Sequence, residues 1–119
     1  GMYAEAQHGT YLYVTVVDAD GLKRVNDEHG HAAGDAMLKE LAGELTRAAE
    51  LFGGFASRTG GDEFVLLTAE PPSFNPELRA SVGTVLRSGL TEGALDDAIN
   101  AADAAMYEHK RARRAQRTN

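Results

Sequence analysis

The chain has 119 residues, of which 43% are hydrophobic and 25% charged, the proportions of an ordinary globular protein. Its length excludes two domains and suits one, predicted over residues 2–115 with a disordered tail at 116–119. With 12 basic and 18 acidic residues, the net charge is -6, which argues against nucleic acid or an anionic membrane as a partner. The absence of cysteine suits a reducing cytoplasm, and no apolar stretch is long enough to span a bilayer.

The first half of the chain predicts one strand and one helix. Tyr11 to Val17 is a β-branched and aromatic run that ends at Asp18, which is typical of a mostly buried strand. Residues 18–34 are polar and interrupted by glycine, so they are predicted as a loop. An amphipathic helix follows and ends at Gly53-Gly54. Its apolar face comprises Leu38, Leu41, Leu45, Ala48, Ala49 and Phe52.

The second half predicts a hairpin, a strand and a second helix. Residues 55–59 and 63–68 flank the Gly60-Gly61 turn, whose glycines tolerate a positive φ. All three prolines lie in residues 69–78, a predicted loop, and residues 79–86 form a last strand. Thr91 is a candidate N-cap of a helix that extends to about Arg113. This order of elements predicts an α/β or α+β sandwich with helices on a sheet.

Acidic residues stand at the ends of two predicted strands. Asp18-Ala19-Asp20 closes the first strand, and Asp62-Glu63 follows the glycine turn. If these strands are neighbours, their carboxylates meet at one edge, where Asp18 and Asp62 would suit Mg²⁺, a hard cation held by carboxylates, phosphates and water. The alternative is that both are ordinary turn residues. Clustered carboxylates favour the first interpretation, because they repel one another and usually need a cation.

Several short segments recur in a fixed order between Tyr11 and Arg114. They are Asp18 to Asp27, Gly30-His31, Gly34-Asp35, Arg58 to Phe64, Ser81-Val82-Gly83, and Ala102 to Tyr107 with Lys110. In this order they resemble the GGDEF domain, the family of the diguanylate cyclases, which join two GTP molecules into cyclic di-GMP. The resemblance implies a truncated α+β fold with a mainly antiparallel sheet, similar to ferredoxin-like and nucleotide-cyclase domains.

The resemblance also implies a role for each matching residue. Asp18 and Asp62, with the Ala19 carbonyl, would hold Mg²⁺ or Mn²⁺, and Glu63 would help to deprotonate a ribose 3′ hydroxyl or act only through its charge. Among the implied nucleotide-binding residues, Asn26 and Asp35 would bind guanine, Gly60 and Gly61 would lie against the triphosphate, and Lys110 and Arg114 would contact the phosphates. Leu38 is also implied as nucleotide-binding, as is Lys23, which is explained equally well as a solvated residue.

Three features depart from the family pattern. Only ten residues precede Tyr11, too few for the family's N-terminal helix, and residues 69–80 replace a long helix, which would leave apolar surface on the sheet. Leu51 to Gly54 stand where the family has an inhibitory Arg-x-x-Asp, so feedback through that motif is not expected. Arg113 stands where the family usually has glycine.

Two functions are therefore considered. The first is a cytoplasmic, shortened diguanylate cyclase that binds GTP and Mg²⁺ and acts as a homodimer, because in this family each domain holds half of the reaction site. The alternative is a catalytically inactive domain that serves as a nucleotide-binding sensor or a protein-interaction module.

Overall fold

A computed structural model describes residues 11–89 and 91–118 of the chain. Residues 1–10, where His8 lies and where the expected absence of an N-terminal helix would be tested, fall outside the described residues. The elements in chain order are β1 (Tyr13–Ala19), α1 (Leu22–His29), α2 (His31–Leu51), β2 (Phe55–Arg58), β3 (Glu63–Thr68), β4 (Ala80–Leu86) and α3 (Glu92–Thr118).

The four strands form one antiparallel sheet in the order β2-β3-β1-β4. The central strand β1 pairs with β3 on one side, where Asp18 is opposite Glu63, and with β4 on the other, where Asp18 is opposite Ser81. This arrangement confirms the α+β class and the mainly antiparallel sheet. It also makes the first strand and the hairpin neighbours, which the acidic site requires.

Helices cover both faces of the sheet, because alternate residues of a strand point to opposite sides. On one face, Val17 and Phe64 pack with the apolar side of α2, to which α1 adds Leu22 and Val25. On the other face, α3 packs over the strand residues that alternate with these. This second layer comprises Val14, Val16, Val65, Leu67, Leu95, Ala98, Ala102 and Met106.

Most predicted elements are confirmed. The hairpin, the loop that contains the prolines and the last strand lie where the sequence placed them. Thr91 is the N-cap of α3, since its Oγ1 accepts a hydrogen bond from the Ala94 N–H at 3.1 Å. The helix continues to Thr118 rather than ending near Arg113, so it includes residues 116–118, which had been assigned to a disordered tail.

The predicted loop over residues 18–34 is wrong. Asp18 and Ala19 still belong to β1, and α1 occupies residues 22–29. Gly21, with φ 74, turns the chain into α1, and Gly30, with φ 89, separates α1 from α2. The eight-residue helix α1 has only two apolar residues, Leu22 and Val25, too few to predict a helix from sequence, and their packing on the core stabilises it.

The expected exposed apolar patch is not found in the described part of the chain. The large hydrophobic residues that are exposed there, Leu12, Leu51, Leu86 and Tyr107, lie at the ends of strands or on helix surfaces. The connector between β3 and β4 covers the α2 face itself, since Leu78 is buried and Phe74 packs against the same cluster. In addition, no described helix has the length and apolar character needed to cross a bilayer.

Candidate metal and nucleotide site

The predicted acidic residues meet at one edge of the sheet. Asp18 in β1 is directly opposite Glu63 in β3. Asp62 immediately precedes β3, and its carbonyl accepts a hydrogen bond from the Ala19 N–H at 2.9 Å. The pairing of β1 with β3 therefore brings together the three carboxyl groups and the Ala19 backbone that the sequence singled out.

Asp18 in the sheet forms an ion pair with a lysine of the helix that packs on it, α3. The Lys110 ammonium group on α3 donates to Asp18 Oδ2, and the two side chains are only 14% and 18% exposed, respectively. The second carboxylate oxygen, Oδ1, is buried and has no hydrogen-bond partner among the described residues. Burial raises the pKa of the Asp18 carboxyl and Asp62 raises it further, while Lys110 acts in the opposite direction.

Glu63 shares this acidic environment. Burial is the largest cause of its raised pKa, and the nearby charges of Asp103, Asp18 and Asp62 also contribute. The edge therefore carries more negative charge than Lys110 alone can neutralise. A further cation would relieve the repulsion.

The residues present fit a hard divalent cation. The donors are carboxylate oxygens, and Asp18 Oδ1 is a buried acceptor with no hydrogen-bond partner in the described part of the chain. Within residues 11–89 and 91–118, no group of three or more acidic or histidine side chains could hold a metal ion. A cation here would therefore take two carboxylates from the protein, with the Ala19 carbonyl, phosphate or water completing its coordination.

The Gly60-Gly61 turn is open on its outer side. A Cβ atom on Gly61 would have no heavy atom within 4 Å, and one on Gly60 would make only an ordinary contact with Glu63 at 3.7 Å. Neither glycine lies in the left-handed region, so the expected positive φ is not needed. The fold by itself does not require glycine at either position, and the free space suits close approach of a ligand to the backbone.

The two predicted guanine-binding residues are neighbours at the junction of α1 and α2. A Cβ on Gly34 would lie 1.8 Å from Asn26 Oδ1, so the glycine makes room for the Asn26 side chain. That oxygen is buried and has no hydrogen-bond partner among the described residues. Asp35 follows Gly34 and lines a cavity of about 330 Å³ together with Leu38, Arg58 and Phe64.

Two predicted site residues are not joined to this constellation. Lys23 and Arg114 are exposed, and no hydrogen bond or ion pair links either of them to the acidic edge in the described part of the chain. The site therefore consists of an acidic edge on the α3 side, an amide and a carboxylate on the α2 side, and the glycine turn between them.

Arg113 and Asp20 form an ion pair that sequence reasoning missed. Asp20 is buried, its Oδ2 lies 2.9 Å from Arg113 Nε, and its Oδ1 accepts a hydrogen bond from Ser81 Oγ at 2.8 Å. The unexpected arginine at position 113 was the available signal. The pair anchors α3 beside Lys110.

His109 makes a contact for which the sequence held no signal. Its Nδ1 accepts a hydrogen bond from the Val82 N–H at 3.0 Å. Because β4 is an edge strand, half of its backbone groups have no partner strand. His109 satisfies one of them and helps to hold α3 against the sheet.

Comparison with known proteins identifies relatives of this chain. A family model described as "Diguanylate cyclase, GGDEF domain" matches residues 2–77. A 19.3 kDa protein of Streptomyces ambofaciens with no assigned function is 41% identical over 98% of this chain and 76% of its own length. The diguanylate cyclase DgcM of Escherichia coli is 34% identical over 80% of this chain and 27% of its own length.

Solved structures agree with these relatives. The GGDEF domain of DgcB from Caulobacter crescentus, solved in complex with c-di-GMP, superposes with a TM-score of 0.69 at 27% identity, covering 92% of this chain and 78% of that one. A sensory box/GGDEF family protein from the same species gives 0.65 at 31% identity, covering 93% and 86%.

The chain spans only part of most curated relatives. Its match covers 27% of DgcM and 9% of the diguanylate cyclase DgcP of Pseudomonas aeruginosa. The alignment with the Streptomyces ambofaciens protein has 140 positions against 119 residues here, so at least 21 of them hold residues of the relative alone. That protein thus contains segments that this chain lacks.

Proposed function

Since the chain belongs to the GGDEF family of diguanylate cyclases, we propose that it binds GTP with Mg²⁺ and condenses two GTP molecules into cyclic di-GMP as a homodimer. One observation carries the proposal. The carboxylates of Asp18, in β1, and Asp62, which immediately precedes the neighbouring strand β3, share an edge with Lys110, beside a turn that is open to a ligand. A fold that needed these aspartates only as turn residues would have no reason to collect them there.

Each group of residues has a distinct task in the proposed reaction. Asn26 and Asp35 bind guanine, since an amide both donates and accepts while a carboxylate accepts paired N–H donors. The Gly60-Gly61 turn lies along the triphosphate, which its lack of side chains permits. Lys110, already directed toward the acidic edge by its contact with Asp18, neutralises phosphate charge.

Asp18, Asp62 and the Ala19 carbonyl would hold the metal, and bound Mg²⁺ would supply positive charge that lowers the pKa of the attacking hydroxyl and stabilises the charge on the α-phosphate. Glu63 is a suitable proton acceptor for the 3′ hydroxyl, because its raised pKa lies closer to neutral pH than the pKa of an ordinary carboxyl group. The hydroxyl of one GTP attacks the α-phosphate of the other, so two loaded domains must face each other.

The test is turnover by a demonstrated dimer. The protein is crosslinked or fused to a dimerising helix, incubated with GTP and Mg²⁺, and its products are separated by chromatography. We expect cyclic di-GMP and pyrophosphate from the unaltered dimer, and neither from the matched Asp62→Ala dimer. Identical traces from the two dimers would exclude the enzymatic function.

A second candidate is a nucleotide-binding module without turnover. It is favoured by a departure from the family pattern: Arg113 stands where the family usually has glycine, and its side chain forms an ion pair with Asp20. Calorimetric titration with GTP, in the presence and absence of Mg²⁺, separates the candidates. Binding without product supports the module, whereas the absence of any heat change up to millimolar GTP excludes both functions.

A further inference from the structure

We propose that Arg58 is a positioning residue of this site, which sets the orientation of the glycine turn so that two backbone N–H groups are presented to the triphosphate. The inference rests on the proposed function, because it concerns how the turn receives the nucleotide. It assigns a task to a side chain whose hydrogen bonds, among the described residues, go to the backbone of the turn.

Arg58 donates hydrogen bonds to two consecutive backbone carbonyl groups. It is the last residue of β2, and its Nε donates a hydrogen bond to the Gly60 carbonyl at 3.1 Å. Its Nη2 donates to the Gly61 carbonyl. The backbone closes the turn separately, since the Thr59 N–H donates to the Glu63 carbonyl at 3.0 Å. The guanidinium is therefore not needed to form the hairpin, but it decides which way two of its peptide planes face.

The direction of these carbonyls fixes the direction of the N–H groups. In a trans peptide, the C=O and N–H bonds point in opposite directions, and the described residues contain no cis peptide. With the Gly60 and Gly61 carbonyls turned toward Arg58, the N–H groups of Gly61 and Asp62 point away from it. Neither N–H has a hydrogen-bond partner among the described residues.

Two neighbouring N–H groups that face the same way form a small anion-binding concavity. The second of them belongs to Asp62, whose side chain is a proposed metal ligand. An anion held there would lie beside the acidic edge, where a divalent cation and Lys110 can share its charge. A phosphate group meets these requirements.

Arginine is suited to this task for two reasons. Glycine explores more backbone conformations than any other residue, so an unrestrained Gly-Gly turn would present its N–H groups only part of the time. The planar fork of arginine donates to two acceptors at once, whereas lysine donates as a point charge. Arg58 also lines the cavity that holds Asp35 and Leu38, so one side chain borders both halves of the site.

The experiment compares Arg58→Ala, Arg58→Lys and the unaltered protein. Calorimetry measures the affinity for GTP with Mg²⁺, and two-dimensional ¹H–¹⁵N spectra follow the amide signals of Gly61 and Asp62 as GTP is added. For Arg58→Ala we expect an affinity about tenfold lower and a loss of the shifts of these two signals. Arg58→Lys should restore part of both. Arg47→Ala, an exposed arginine late in α2, is the control and should match the unaltered protein.

The outcomes separate this inference from the proposed function. If the unaltered protein shows no GTP binding, the proposed function fails. If it binds GTP and Arg58→Ala binds equally well with the same amide shifts, the positioning role is wrong while the function stands. Well-dispersed spectra of the variants in the absence of GTP establish that each is folded, and Arg58→Lys provides the comparison if Arg58→Ala is not.

Discussion

Two glycine pairs flank the short strand β2, and they serve different purposes. At Gly53-Gly54, the first residue has φ 80, and a Cβ on the second would lie 1.7 Å from the Leu67 carbonyl oxygen. At Gly60-Gly61, neither residue is left-handed and a side chain would meet open space or an ordinary contact. The first pair is required by packing within the chain, whereas the second leaves space for something outside it.

The two aspartates at the end of β1 repeat this contrast. Asp20 is buried, its Oδ1 accepts a hydrogen bond from Ser81, and its Oδ2 forms an ion pair with Arg113. Asp18, two residues earlier, keeps a buried oxygen without a partner among the described residues and has a raised pKa. Each aspartate thus pairs with one cation, and the two differ in the other carboxylate oxygen, which has a hydroxyl donor in Asp20 and no hydrogen-bond partner among the described residues in Asp18.

The largest expected effect is that of Gly54→Ala. The new methyl group would collide with the backbone of β3, which cannot move aside without breaking its pairing with β2, so the free energy of unfolding should fall by about 3 kcal/mol. Urea unfolding of Gly54→Ala measures this effect. Gly61→Ala is the matched control and should lie within about 0.5 kcal/mol of the unaltered protein. Equal losses in the two variants would remove the distinction between the pairs.

A smaller loss is expected when Asp20 is deprived of its partner. Arg113→Ala leaves a buried carboxylate without its cation, which should lower the free energy of unfolding by about 2 kcal/mol. Its neighbour Arg114 is exposed, so Arg114→Ala should change stability by less than about 0.5 kcal/mol. Thermal unfolding of both variants checks this, and an unaffected Arg113→Ala would mean that the ion pair does not anchor α3.

The variant that serves as the stability control, Gly61→Ala, is expected to weaken the binding of GTP. Gly61→Ala should reduce the affinity for GTP with Mg²⁺ about tenfold without a change in stability, because the methyl group occupies the space left for the phosphates. Calorimetry on a variant with an unchanged unfolding midpoint measures it. Full affinity in that variant would show that the open space at the turn is not used by the nucleotide.

The smallest effect is a pH dependence at Glu63. Its pKa is raised in the folded state, so the unfolded chain releases this proton at lower pH and the ionised carboxylate destabilises the fold as the pH rises through the raised pKa. In metal-free buffer, Glu63→Gln should therefore be more stable than the unaltered protein at neutral pH, by no more than about 0.5 kcal/mol after solvent screening. Thermal unfolding at several pH values should show the difference disappearing in acid. A difference that grows in acid would contradict the sign.

Much of this site could be predicted because its residues lie in short segments with recognisable order. The Gly-Gly-Asp-Glu run and the Asp-Ala-Asp run each mark the end of a strand, and their convergence needed only that the strands be neighbours. Helix α1 escaped prediction because it is short and has only two apolar residues, and packing of these on the core decides its conformation. His109 escaped because it acts on a backbone group of β4 that is distant in sequence. Arg58 lies in a segment that the sequence singled out, but its residue type alone does not specify the hydrogen bonds that it makes to the turn.

The amino-acid sequence alone determined the class of fold, the hairpin, the N-cap of the last helix and the acidic candidates, since these depend on local preference and on the spacing of residue types. The guanine-binding candidates came from the family resemblance. Only the tertiary structure decided that packing requires glycine at Gly54, how Asp18 and Asp20 differ in their hydrogen bonds and which partner Arg113 has. Such properties arise from atoms distant in sequence that burial brings within hydrogen-bond distance, and no local pattern records them.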